Sequence, residues 1–155
     1  MAKGMYESVA GKWNTIFPVS SYIIIVIVGI AEYFFIARNT NLLISFIGGL
    51  VFLLGVFLRD FSIKTLGDSW SIHVKADHVK ALVIKGPYRY LNHPYYIGSL
   101  ITIFGFLLIP NSYHTVLLVL FLQAPLYIFR MRLEEIELKK RFGTQFLSYK
   151  RRQRF

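Results

Sequence analysis

The chain has 155 residues, is 55% hydrophobic and 17% aromatic, and carries 18 Lys and Arg against 8 Asp and Glu. That balance departs from a soluble globular composition and points to a membrane protein, folded as one unit without a linker or repeat. The absence of cysteine excludes disulfides, thiolate metal sites and cysteine nucleophiles, and a net charge of +10 in so apolar a chain fits positive-inside topology and anionic headgroups, not nucleic acid.

Residues 16–37 form the first apolar run, long enough to cross a bilayer and interrupted by Pro18 and Glu32. Its length, and the lack of a small-residue cleavage site after it, predict a retained span and no removable signal peptide. Glu32, five residues before Ala37, is expected to reach the interface; the alternative is a functional intramembrane acid. Residues 42–58 form a second span, where Gly48-Gly49 and Gly55 are spaced to admit another helix closely. Residues 94–109 and 113–129 give a third and a fourth, joined by Pro110-Asn111-Ser112 as a tight helical hairpin. The expectation is an all-α polytopic membrane protein of about four transmembrane helices. It forms a single domain, with N-terminal spans in 1–58 and the chemistry in 59–155.

The basic residues set the orientation. Residues 59–89 hold six Lys or Arg, and nine follow from Arg130 to the end, whereas the turn at 110–112 has none. Basic and poor segments alternate, which predicts both termini on the cytoplasmic side. Beyond Arg130 the chain reads as a helix continuing out of the membrane. Leu133, Ile136, Leu138, Phe142, Phe146 and Tyr149 recur at roughly helical spacing, with basic residues on the other faces. A basic amphipathic helix on the headgroups accounts for that pattern. It does not account for Glu134, Glu135 and Glu137 directly below the fourth span.

The segment KGPYRYLNHPYYIG, residues 85–98, carries the densest chemistry. Gly86-Pro87 sets a turn, and Pro94 begins a helix at its first turn. Tyr88, Tyr90, Tyr95 and Tyr96 surround one imidazole, His93. Tyrosines alone would be interfacial anchors, but an enclosed His-Pro opposite a second polar cluster suggests a site. In that cluster Arg130 and Glu134 are four apart and share a helix face. They form either a local ion pair or a divided site, in which Arg130 binds an anion and Glu134 an amine-bearing ligand. Glu135 and Glu137 are expected to point elsewhere, into solvent. His73, His78, His93 and His114 lack metal-ligand spacing, so no metal site is assigned. The chain also lacks a Gly-rich phosphate loop and a nucleophile elbow.

Several segments in order resemble the integral-membrane isoprenylcysteine carboxyl methyltransferases and their phospholipid methyltransferase relatives. LGDSWS at 66–71 is similar to the family's L-G-x-x-W-S, and LVIKGPYRY at 82–90 to L-V-x-x-G-P-Y-x-Y. HPYYIG at 93–98 resembles R-H-P-x-Y-x-G, and Glu134 to Tyr149 resembles E-E-x-x-L-x-x-x-F-G-x-x-(Y/F)-x-x-Y. The resemblance spans roughly residues 66–149. It implies S-adenosylmethionine as cofactor, in a cytosolic pocket lined by Leu82, Val83, Tyr88, His93, Pro94, Tyr96 and Glu134. Arg130 matches the arginine that faces the methyl acceptor, making Arg130 and Glu134 the implied catalytic pair. Two positions depart from the pattern: Lys80 stands where the family usually has His, though still in the cofactor set, and Asn92 stands where it has Arg. The implied acceptor is lipophilic or prenylated, a carboxylate foremost, with a phospholipid amine, lipid phenol or thiol as alternatives. A non-catalytic membrane scaffold is the rival from another class, and the oligomeric state is left open.

Overall fold

The computed structural model describes residues 2–36, 40–70 and 82–152, with side chains described between Thr15 and Lys150 within those ranges. Lys80, His73, His78 and the Ser71 end of the L-G-x-x-W-S segment lie outside them. The described residues are helical, with no strand among them. In chain order the helices are α1 (Ala2–Phe35), α2 (Leu42–Leu66), α3 (Pro94–Leu108), α4 (Tyr113–Leu118), α5 (Ala124–Phe142) and α6 (Thr144–Arg152). A π-turn, Val119–Gln123, joins α4 to α5 without a break, so Tyr113–Phe142 runs as one long helix. Pro125 explains the turn, because it has no N–H to donate to the preceding turn and the helix widens around it.

Three helical segments are long and apolar enough to cross a membrane: Thr15–Phe35, Leu42–Ser69 and Tyr113–Phe142. The third expected span, α3, has 15 residues and is about 22 Å long against a hydrocarbon core of about 30 Å. Helix α2 also continues past residue 58, where the apolar run ends, to Leu66. It stops where Gly67 takes a positive φ and returns its N–H to Ile63 O.

Helices α2 and α3 run antiparallel with their backbones in contact. A methyl group on Gly48 would lie 2.8 Å from Ile109 N, and one on Gly55 2.4 Å from Thr102 N. From the other side, a methyl on Gly98 would lie 2.7 Å from Arg59 N, and one on Gly105 would overlap Phe52 N. The expected close approach at Gly48 and Gly55 is therefore present, and Gly98 and Gly105 complete it. Gly49 faces open space. Ile25, Ile103, Leu107 and Val119 form the buried apolar centre, tying α1 to α3 and to the π-turn.

Polar side chains lock the end of the bundle at Asn41 and Asn111. Asn41 caps α2 by accepting from Leu43 N at 3.0 Å and Ile44 N at 3.2 Å. Asn111, in the left-handed region at φ 59, accepts from Asn41 N at 3.0 Å and donates to Ser45 Oγ at 2.8 Å. Glu32 sits at the end of α1 with its carboxylate turned inward. It is buried, and its carboxylate accepts from His114 N at 3.2 Å, Thr115 N at 2.8 Å and Thr115 Oγ1 at 2.5 Å. An acid there meets unsatisfied N–H groups at the start of α4, which is why burial is tolerated.

The basic tail is two helices, not one. Gly143, with φ 52, terminates α5 and donates its N–H to Lys139 O at 2.9 Å. The chain then turns back as α6, and Phe146 becomes buried.

Candidate functional site at the basic end of the bundle

At the opposite end from Asn111, four elements converge: the turn Gly86–Arg89, the start of α3, the middle of α5 and helix α6. The turn rests on α2, because Gly86 at φ 53 places its Cα hydrogens where a methyl would lie 3.0 Å from Thr65 Oγ1. Pro87 and Tyr88 are buried there, and Leu82 and Val83 stay half-buried on the segment leading in. Burial first, and the Glu134 carboxylate second, push the Tyr88 phenol above its ordinary value, so it stays a neutral hydroxyl at physiological pH. His93 precedes α3 at φ −135 and ψ 61, and Pro94 follows, buried, at the first helical position.

From this start Tyr96 points to α5. Its hydroxyl accepts from Arg130 Nε at 2.9 Å, and the guanidinium carbon lies 5.9 Å from its ring centroid. Arg130 is 6% exposed, so its charge is held in place by this contact inside the helix bundle. Glu134 lies one helical turn further along α5, and its Oε2 is 3.8 Å from His93 Nδ1. Edge-on aromatic contacts extend the cluster, with Tyr96 on Tyr127 at 5.3 Å, on Tyr95 at 5.4 Å and on His93 at 5.9 Å between centroids. Trp70 meets Tyr95 at 6.2 Å, which connects the L-G-x-x-W segment to the same place.

The structure thus brings together Tyr96, His93, Arg130 and Glu134, with Tyr88 and Pro94 beside them. Lys80 lies outside the described residues. Glu135 is not solvated as expected: its Oε1 is 3.4 Å from His93 Nε2 and its Oε2 is 2.6 Å from Lys150 Nζ. Glu137 pairs with Lys140 at 2.6 Å on the exposed side. Tyr127, Glu135 and Lys150 went unrecognised in the sequence. Lys150 meets Glu135 only because Gly143 reverses the chain between them, and helical spacing carries no sign of that. Buried Gln123, which accepts from Ser21 Oγ at 2.7 Å and donates to Pro18 O at 3.2 Å, fixes α1 against the π-turn one layer deeper.

Chemically, the cluster offers a buried, oriented guanidinium, two carboxylates flanking an imidazole, and several aromatic faces. Carboxylates and aromatic faces both favour a cation, while the guanidinium favours an oxyanion. Comparison with curated proteins and with solved structures finds no match. A family model described as phospholipid methyltransferase matches residues 43–145, well over half of the chain and every described residue of the cluster except those in α6. The chain belongs to the phospholipid methyltransferase family, and with it to the membrane methyltransferases that act on lipid-like substrates.

Proposed function

We propose that the protein is an integral-membrane, S-adenosylmethionine-dependent methyltransferase whose acceptor is a lipidic carboxylate of the isoprenylcysteine kind. The observation that carries this reading is buried Arg130, held on the Tyr96 hydroxyl one helical turn before Glu134, whose carboxylate faces His93. The cofactor fits the groups present: its sulfonium suits aromatic faces and carboxylates, and it supplies the methyl group. Leu82, Val83, Tyr88, His93, Pro94 and Tyr96 would line its site, with Lys80 as a further contact and Glu134 accepting from its amine or ribose hydroxyls. Arg130 aligns the acceptor oxyanion, and the packed helices exclude water from the transfer. Residues 59–155 carry this chemistry within one domain.

The basic segments at 59–89 and after Arg130 support a site facing the cytosol with both termini there. In this arrangement α3 is a short fourth crossing, and local thinning of the bilayer accommodates it. The family description names phospholipids, and a phospholipid amine is the second acceptor class. Mass spectrometry of lipid extracts incubated with labelled cofactor separates these two, and also detects a methylated phenol or thiol.

Calorimetric cofactor binding alongside methyl transfer tests the assignment. Glu134→Gln should chiefly weaken cofactor binding. Arg130→Ala should leave binding nearly intact and lower turnover about tenfold or more, roughly 1.4 kcal/mol of transition-state stabilisation. Arg130→Lys should rescue poorly, since an ammonium lacks the planar fork. Equal losses of both properties in both variants would mean a structural pair. A parent protein that binds no S-adenosylmethionine would leave a membrane scaffold.

A further inference from the structure

Helix α6 does more than cover the site. Its Lys150 Nζ lies 2.6 Å from Glu135 Oε2, and the other oxygen of that carboxylate lies 3.4 Å from His93 Nε2. The remaining ring nitrogen, Nδ1, faces Glu134 at 3.8 Å. One carboxylate thus joins the C-terminal helix to the imidazole, and the imidazole joins it to Glu134. We propose that Glu135 and Lys150 are positioning residues: Lys150 fixes the Glu135 carboxylate, which orients the His93 ring in the cofactor site. The proposal rests on the reading of His93 as a cofactor-site residue.

Three observations support it. The backbone at His93 is set by the following proline, but rotation of the ring is not, because the terminal torsion of an imidazole is broad. An outside partner has to select its orientation. The pair is also sheltered where it matters, with side-chain exposure of 10% at His93 and 18% at Glu135, so it differs from the solvated surface pairs that contribute little. Finally, α6 is anchored on both sides of the site. Tyr149 donates its hydroxyl to Tyr88 O at 3.3 Å, and Phe146 is buried. Lys150 therefore reports whether α6 is docked, and it lies beyond residues 43–145, which the family model matches.

The test uses the full chain in detergent, with Lys150→Met, Lys150→Arg and Glu135→Gln. Two readouts are taken: the ring nitrogen signals of His93 by NMR without cofactor, assigned with His93→Gln, and S-adenosylmethionine affinity by calorimetry. Lys150→Met and Glu135→Gln should move the His93 signals toward those of an unrestrained imidazole. Both should also weaken cofactor binding by about fivefold or more, as expected for loss of a charge-assisted hydrogen bond. Lys150→Arg should keep both properties near the parent's. His93 signals unchanged in Lys150→Met would overturn the proposal, as would loss of α6 protection in hydrogen exchange with no change at His93. A parent that binds no cofactor would remove the functional reading, and the NMR readout would still decide the positioning.

Discussion

Tyr96 and Arg130 hold each other at two points, a 2.9 Å hydrogen bond from Nε to the hydroxyl and a 5.9 Å approach of the guanidinium to the ring. Their backbones belong to different helices, α3 and α5, so the contact registers one helix on the other. It also gives a buried cation a fixed acceptor within the bundle, where an unsatisfied charge would be costly.

Tyr96→Phe removes the acceptor and keeps the ring. Thermal unfolding in detergent should show a loss of about 1–3 kcal/mol, the range for a buried donor deprived of its partner. Methyl transfer should fall further than stability does, because the guanidinium is no longer aimed. A variant as stable and as active as the parent would show that the hydroxyl contributes nothing.

The helix seam makes a paired prediction from two glycines on opposite sides of it. Gly105→Ala places a methyl 2.3 Å from Phe52 N, whereas Gly49→Ala meets nothing within 4 Å. The first should cost about 1–3 kcal/mol of unfolding stability through overpacking, and the second should stay within about 0.5 kcal/mol of the parent. Equal stabilities for both variants would mean that α2 and α3 are not in backbone contact.

Replacing Glu32 distinguishes a capping acid from a catalytic one. Glu32→Leu strips the acceptor from His114 N, Thr115 N and Thr115 Oγ1, and should destabilise by about 1–3 kcal/mol or more. Glu32→Gln keeps one carbonyl oxygen, which can still accept from both Thr115 donors, and should recover part of that loss. Cofactor affinity should be unchanged in whatever fraction of either variant remains folded. A loss of affinity without unfolding would assign Glu32 a role at the site.

Topology is directly measurable, because the chain has no cysteine. Single cysteines at Lys75 and Arg152 should both react with an impermeant reagent applied from the cytoplasmic side. Labelling of the two positions from opposite sides would overturn the topology inferred from the basic residues.

Much of the architecture was legible because it depends on local rules. Apolar runs marked three long apolar helices and the shorter α3, Gly86-Pro87 marked the turn, and Pro94 marked the start of α3. Gly48 and Gly55 announced a close partner, but their counterparts Gly98 and Gly105 are ordinary small residues until the helices pair. The Arg130–Glu134 spacing identified a shared helix face without revealing that Tyr96, 34 positions away in sequence from Arg130, stands between them. The burial of Glu32 was hidden for a related reason. Two of its partners are backbone N–H groups at the start of α4, and backbone donors leave no trace in a sequence. Gly143 falls within a stretch of helical spacing, yet it splits the tail and allows Lys150 to return to Glu135.

The contact between α2 and α3 restricts how an acceptor arrives. With Gly55 and Gly105 backbone against backbone, the seam leaves no gap for an acyl or prenyl chain. If Arg130 aligns a lipid acceptor as proposed, that acceptor reaches it from another side of the bundle. Side chains along that route, and not the glycine seam, would then set which tail lengths and branches are admitted.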